Sequence, residues 1–156
     1  MFNRLTHTSR YCISYAMYMA DKTNSRSVEP EHLLLGLLAK QWRENYVPIG
    51  RFLPAGQTPE ILERKIFSHI FRSNCQIVSR VSHQHGSVIV PNELLMSKKT
   101  KLVFKSVLER AVGPEVNHIG PEYLIFGILV HRNLFAARIL KESGVTIQSV
   151  YEYISA

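Results

Sequence analysis

An all-α fold is predicted for this chain, an eight-helix bundle made of two pseudo-twofold-related four-helix repeats. The first observation behind it is a duplication. Pro30-Glu31-His32-Leu33-Leu34-Leu35-Gly36-Leu37-Leu38 returns as Pro121-Glu122-Tyr123-Leu124-Ile125-Phe126-Gly127-Ile128-Leu129, at an offset of 91 residues that holds back to Leu5, which falls on Met96. The second is the character of the repeated segment. Proline suits a helix's first turn, where its missing N–H has no partner anyway, and the glutamate after it sits where the helix dipole favours negative charge. The largely apolar run that follows is too short for a bilayer, which needs about 20 such residues, so each copy is expected at the centre of a bundle. The third is periodicity. Apolar residues recur at spacings of three and four in the flanking segments of both copies.

Taken in order, Thr6 can cap a first helix whose buried stripe is Cys12, Ile13, Ala16, Met17 and Ala20, with Tyr11, Tyr15 and Tyr18 beside it. Asn24-Ser25 marks a turn, and the central helix is expected from Pro30 to about Trp42. The glycine inside it costs roughly 1 kcal/mol against alanine, so its presence in both copies predicts a close helix crossing. A short third helix is expected from Val47 or Pro48 to Leu53. A fourth opens at Thr58-Pro59, carries Ile61, Leu62, Ile66, Phe67 and Ile70, and ends near Arg72. Repeat 1 is thus residues 2–72. A linker over 73–95 follows, rich in Ser, Asn, Gln and His, with Val88-Ile89-Val90 as a short extended segment. Repeat 2, residues 96–156, begins at Ser97, the counterpart of Thr6. Val103, Phe104, Val107, Leu108 and Ala111 repeat the buried stripe. The central helix returns at Pro121, a third spans Leu134 to Glu142 before Ser143-Gly144, and the last starts at Thr146 with Ile147, Val150, Tyr151 and Ile154. Matching Arg51-Phe52-Leu53 to Arg138-Ile139-Leu140 leaves four extra residues in repeat 1, near Trp42 to Tyr46. Each repeat buries a face it could not bury alone, so the 156 residues are expected to form one domain.

Composition narrows the function classes. The chain is 46% hydrophobic and 20% charged, an ordinary globular balance, with net charge +7 and a pI near 9.6. The basic excess is spread over both halves, with a small cluster at Lys98, Lys99 and Lys101. It permits nucleic acid, acidic lipid or an acidic protein as partner, though no nucleic-acid reading motif accompanies it. Cys12 and Cys75 lack metal or redox spacing. His83-Gln84-His85 has no carboxylate or cysteine beside it, so no metal is expected. No serine or cysteine sits in a recognised nucleophile motif, and no Gly-x-x-x-x-Gly-Lys-Ser/Thr loop is present, so no catalytic residue and no cofactor are expected. The apolar stretch Tyr11 to Ala20 is matched at Leu102 to Ala111, which argues for structure rather than a cleaved leader.

These residues resemble the double N-terminal domain of the Clp AAA+ unfoldases of the ClpC/ClpA type, here without the ATPase modules. The resemblance rests on Phe2-Asn3-Arg4-Leu5-Thr6, on the Glu31 to Leu37 and Glu122 to Ile128 segments, and on Ala136-Ala137-Arg138-Ile139-Leu140-Lys141-Glu142-Ser143-Gly144-Val145. It spans residue 2 to about 154. It implies a non-catalytic protein-interaction module of the Clp chaperone/protease system. Its partners would be Clp ATPase or protease subunits, adaptor proteins or protein substrates, in the cytoplasm or the plastid stroma; nucleic acid and membrane are not expected partners. A free-standing relative is expected rather than the first domain of a longer product. In some ClpC proteins the motif glutamates bind phosphorylated arginine. By that resemblance the substrate- or adaptor-binding residues here are Glu31 and Glu122, with Thr6 and Ser97 at adjoining helix starts. Both copies carry proline, Pro30 and Pro121, where the family has threonine, and Tyr123 replaces a histidine. The other role open to Glu31 and Glu122 is interaction with the helix dipole, worth about 0.3–1 kcal/mol each. The alternative function is a basic, nucleic-acid- or acidic-surface-binding helical protein, which a steep loss of affinity with salt would reveal.

Overall fold

Thr6 and Ser97 start the first helix of each repeat in the same way. Both have φ −63° and ψ 162°, and each hydroxyl accepts from the N–H three residues on, Ser9 at 3.2 Å and Thr100 at 3.1 Å. In the computed structural model, which describes residues 2–40, 46–78, 95–113 and 116–156, these caps open α1 (His7–Lys22) and α4 (Lys98–Arg110). Just past the end of α1 and its C-cap Thr23, Asn24 takes φ 52°. The Ser25 N–H bonds Ala20 O and the Asn24 N–H bonds Asp21 O, the paired closure of a Schellman motif.

Every residue of α2 (Pro30–Leu38) is buried, as its apolar run requires. Its leucines contribute about 1.5–3 kcal/mol each by leaving water. Helix α5 (Pro121–Val130) is its counterpart. The glycine expectation holds in both copies. A Cβ at Gly36 would collide with the Cys12 carbonyl oxygen, and one at Gly127 would come within 2.8 Å of the Val103 carbonyl oxygen. Cys12 and Val103 are themselves 91 residues apart, so one helix crossing is built twice.

The repeats are joined by a reciprocal exchange. Two-residue strands β1 (Ser27–Val28) and β2 (Leu95–Met96) pair in parallel, Val28 opposite Met96, and Leu5 forms the equivalent bridge to Ile119. The Thr6 N–H bonds Ile119 O and the Ser97 N–H bonds Val28 O, both at 3.1 Å. Ser9 Oγ donates to Ile119 O and Thr100 Oγ1 to Val28 O, both at 2.7 Å. Each repeat therefore hands its helix start to the segment just ahead of the other's central helix. The buried carbonyls are satisfied only across the dyad.

The remaining helices are α3 (Pro59–Val78), α6 (Phe135–Glu142) and α7 (Ile147–Ser155). Helix α3 packs on α2 and α6, and α7 packs on α5. One apolar cluster draws buried residues from both repeats. The fold is all-α, but seven α-helices rather than eight are found among the described residues. The expected third helix of repeat 1 is a single 3-10 turn, Gly50–Phe52, where Pro48, Gly50 and Pro54 crowd a stretch too short to propagate. Two boundaries and one buried position also differ from expectation. Helix α2 stops at Leu38, with Ala39 extended. Helix α3 runs past Arg72 to Val78, into the expected linker. Leu108, expected in the buried stripe, is exposed. Trp42, the Val88 to Val90 segment and the His83/His85 pair lie outside the described residues.

Candidate functional site

His32 and Glu31 are neighbours on the first turn of α2, and their side chains diverge. His32 is 1% exposed. The Glu29 N–H donates to its Nδ1 at 2.9 Å, which leaves the ring proton on Nε2, beside Thr23 Oγ1 at 3.0 Å and Ser25 Oγ at 3.2 Å. The Glu29 carboxylate completes a capping box at the helix start. Burial pushes the imidazole down to about 4 against the pull of Glu29. His32 is thus a neutral, satisfied core histidine.

Glu31 is 8% exposed and lines a cavity of about 430 Å³. Ser97, Lys98 and Lys99, from the start of α4, form part of its wall, with Ser25 and Ser27 from the turn ahead of α2 and His69 from α3. The Glu31 carboxylate lies 3.9 Å from His69 Nε2. The His69 ring stacks flat on Phe135 of α6, with centroids 3.6 Å apart. Burial raises the Glu31 carboxyl above its ordinary range, opposed by a backbone hydrogen bond; Glu29 adds to the rise and Lys99 opposes it. Burial lowers His69, helped by the charges of Arg138, Lys99 and Arg72. The cavity therefore joins a buried carboxylate to a cationic helix start, with a neutral ring between α3 and α6.

The four residues singled out in the sequence sit crosswise. Ser97 bonds Val28, three residues ahead of Glu31, and Thr6 bonds Ile119, three residues ahead of Glu122. Glu31 and Ser97 share the cavity, although they come from different repeats. Glu122 is half-buried. Burial raises its carboxyl, while a backbone hydrogen bond and the nearby Arg51 guanidinium pull it down. Sequence reasoning missed His69. The one available signal was a polar residue on the face of α3 that carries Leu62 and Ile66, both fully buried.

The solved N-terminal domain of the caseinolytic protease associated chaperone ClpD from Arabidopsis thaliana superposes with a TM-score of 0.66 at 21% identity, covering 97% of this chain and 95% of that one. The fold is that of the Clp N-terminal domain. A second structure, from a malarial protein secretion system, gives a TM-score of 0.67 at 13% identity, with 97% and 92% covered. In sequence, the chain is 24% identical over 147 residues to the ATP-binding subunit ClpC of the Clp protease from Staphylococcus saprophyticus, and 26% identical over 147 residues to chloroplastic ClpD from Arabidopsis thaliana. A probable Clp protease ATP-binding subunit from Chlamydia pneumoniae is 25% identical over 154 residues. The matches take in 94% to 99% of this chain but only 15% to 16% of those relatives' own length. No family model matches the chain. Among the described residues no single helix is long and apolar enough to cross a membrane.

Proposed function

We propose that this chain is a non-catalytic docking module of the Clp chaperone/protease system, receiving an adaptor, a protein substrate or a Clp ATPase or protease subunit. The observation that carries the reading is the crosswise pairing of a buried glutamate from one repeat with the first-turn helix start of the other, opened at Glu31 as a cavity of about 430 Å³. A carboxylate takes a guanidinium or ammonium group, and a helix start takes an anion. Glu31 with Ser97, and Glu122 with Thr6, would then hold a client side chain of mixed charge, such as a phosphorylated arginine.

Recovery of a Clp ATPase or protease subunit with the intact chain supports this reading, whereas recovery of nucleic acid alone ends it. The sharper test is Glu31→Ala with Glu122→Ala. The double variant is expected to keep its helical circular dichroism and to lose affinity for an arginine-phosphorylated client. Unchanged affinity returns both carboxylates to a helix-dipole role.

A further inference from the structure

The offset of 91 residues that makes the two crosswise sites comparable also shows where they differ. Helix α5 is capped by Gly120 and helix α2 by Glu29. A Cβ at position 120 would lie 2.5 Å from Glu122 Oε2 and 2.7 Å from its Cδ. Glu122 therefore folds back over its own helix start, a position open to it only because residue 120 is glycine. Glu29 has a Cβ at the matching place and commits its carboxylate to the capping box with His32. The Glu31 carboxylate also bonds the backbone at its own helix start, and it lines the cavity.

The opposing walls differ too. Glu31 looks toward Ser97-Lys98-Lys99, both lysines exposed at the start of a 13-residue helix. The matching residues at the start of α1 are Thr6-His7-Thr8, without a lysine or arginine. Across the cavity Glu31 meets the His69 ring at 3.9 Å, held flat on Phe135. Glu122 instead has a guanidinium of its own chain nearby, Arg51, which is steadied over Tyr153 at 4.5 Å.

We infer that the two sites are unequal: client recognition runs through the cavity at Glu31, with Lys98 and Lys99 as the specificity-determining residues for the client's anionic group, while the Glu122 site, whose facing helix start carries no matching lysines, contributes less. This rests on the docking reading proposed above and departs from the equality that the duplicated motif suggests.

The test is a titration of the full-length chain with phospho-arginine as probe, followed at the backbone amides by heteronuclear NMR. Saturable shifts are expected at Ser97, Lys98, Lys99 and Thr100, with much smaller ones at Thr6, His7, Thr8 and Ser9. Glu31→Gln is expected to abolish them. Lys98→Ala with Lys99→Ala, at two exposed positions, is expected to weaken binding about tenfold, the scale of one charge-assisted hydrogen bond. Equal or larger shifts at Thr6 to Ser9 overturn the inequality and leave the docking reading standing. Undiminished affinity in the double lysine variant overturns the role of the two lysines. Shifts at neither helix start overturn both this inference and the site on which it rests.

Discussion

The His32 imidazole is held on both ring nitrogens inside the fold, at a pKa of about 4 against an ordinary value near 6.5. Because the folded value is depressed, the unfolded chain binds more protons between these two pH values. The stability from a neutral His32 is complete above about pH 6.5 and is lost as pH falls toward 4, to a limit of about 3 kcal/mol. Urea titrations at pH 7.0 and 4.5 should show that loss, and His32→Phe should flatten it. Glu31 carries the opposite sign. Its carboxyl is raised by burial, so ionisation at neutral pH opposes folding. Glu31→Gln is expected to leave the melting temperature at pH 7 unchanged or higher while lowering client affinity. A fall in both would mark Glu31 as a structural group. The Cys12 thiol, pushed up to about 12 by burial, is expected to resist a thiol reagent in native Cys75→Ser protein and to react once urea is added.

Helix crossings set the next scale. Gly36 touches the carbonyl of Cys12 itself, and a backbone cannot step aside as a side-chain end can. Gly36→Ala is therefore expected to cost about 2–3 kcal/mol, read from a urea midpoint at unchanged m-value. Gly127 faces both the Val103 carbonyl and the methyl groups of Val103 and Val107. Part of its strain can be relieved by valine rotamers, so Gly127→Ala should be the milder change. The N-caps follow the same logic. Ser97→Ala removes a hydroxyl that both caps α4 and bonds Thr100, at a cost of about 1 kcal/mol. The difference between α6 and its counterpart shows what a few residues do. Phe135–Glu142 completes two turns before Gly144 closes it at φ 87°. The Pro48 to Pro54 stretch has prolines at both ends and stops at one 3-10 turn.

At the scale of the molecule, the exchange of helix starts ties each repeat's first turn to the other's central helix. Val28 O and Ile119 O are each satisfied by a backbone N–H and a hydroxyl from the opposite repeat. Separated repeats would leave those groups unpaired and one apolar cluster cut in two. Unfolding is therefore expected as a single transition, with far-ultraviolet circular dichroism and tyrosine fluorescence coincident. A fragment of residues 95–156 alone is expected to show collapsed amide dispersion. The net charge of +7 enters here as well. Client affinity through a buried carboxylate and two lysines should fall only gently between 50 and 200 mM salt, unlike the decades lost when many phosphates are neutralised.

The amino-acid sequence alone determined the repeat, its 91-residue register, the caps at Thr6 and Ser97, the burial of the two Pro-Glu helices and the close crossing at their glycines. Each of these follows from local rules: periodicity, a hydroxyl before a helix, a residue with no Cβ. The short turn at Gly50, the length of α3 and the assembly of the cavity were decided by tertiary structure. Glu31, His69, Ser97 and Phe135 come from four separate segments, and no spacing along the chain encodes their meeting. The inferred inequality of the Glu31 and Glu122 sites would have the same origin. Two identical residues in matching motifs face different walls, Glu31 the His69 ring and the Lys98-Lys99 helix start, because segments far apart in the chain are brought beside one and not the other.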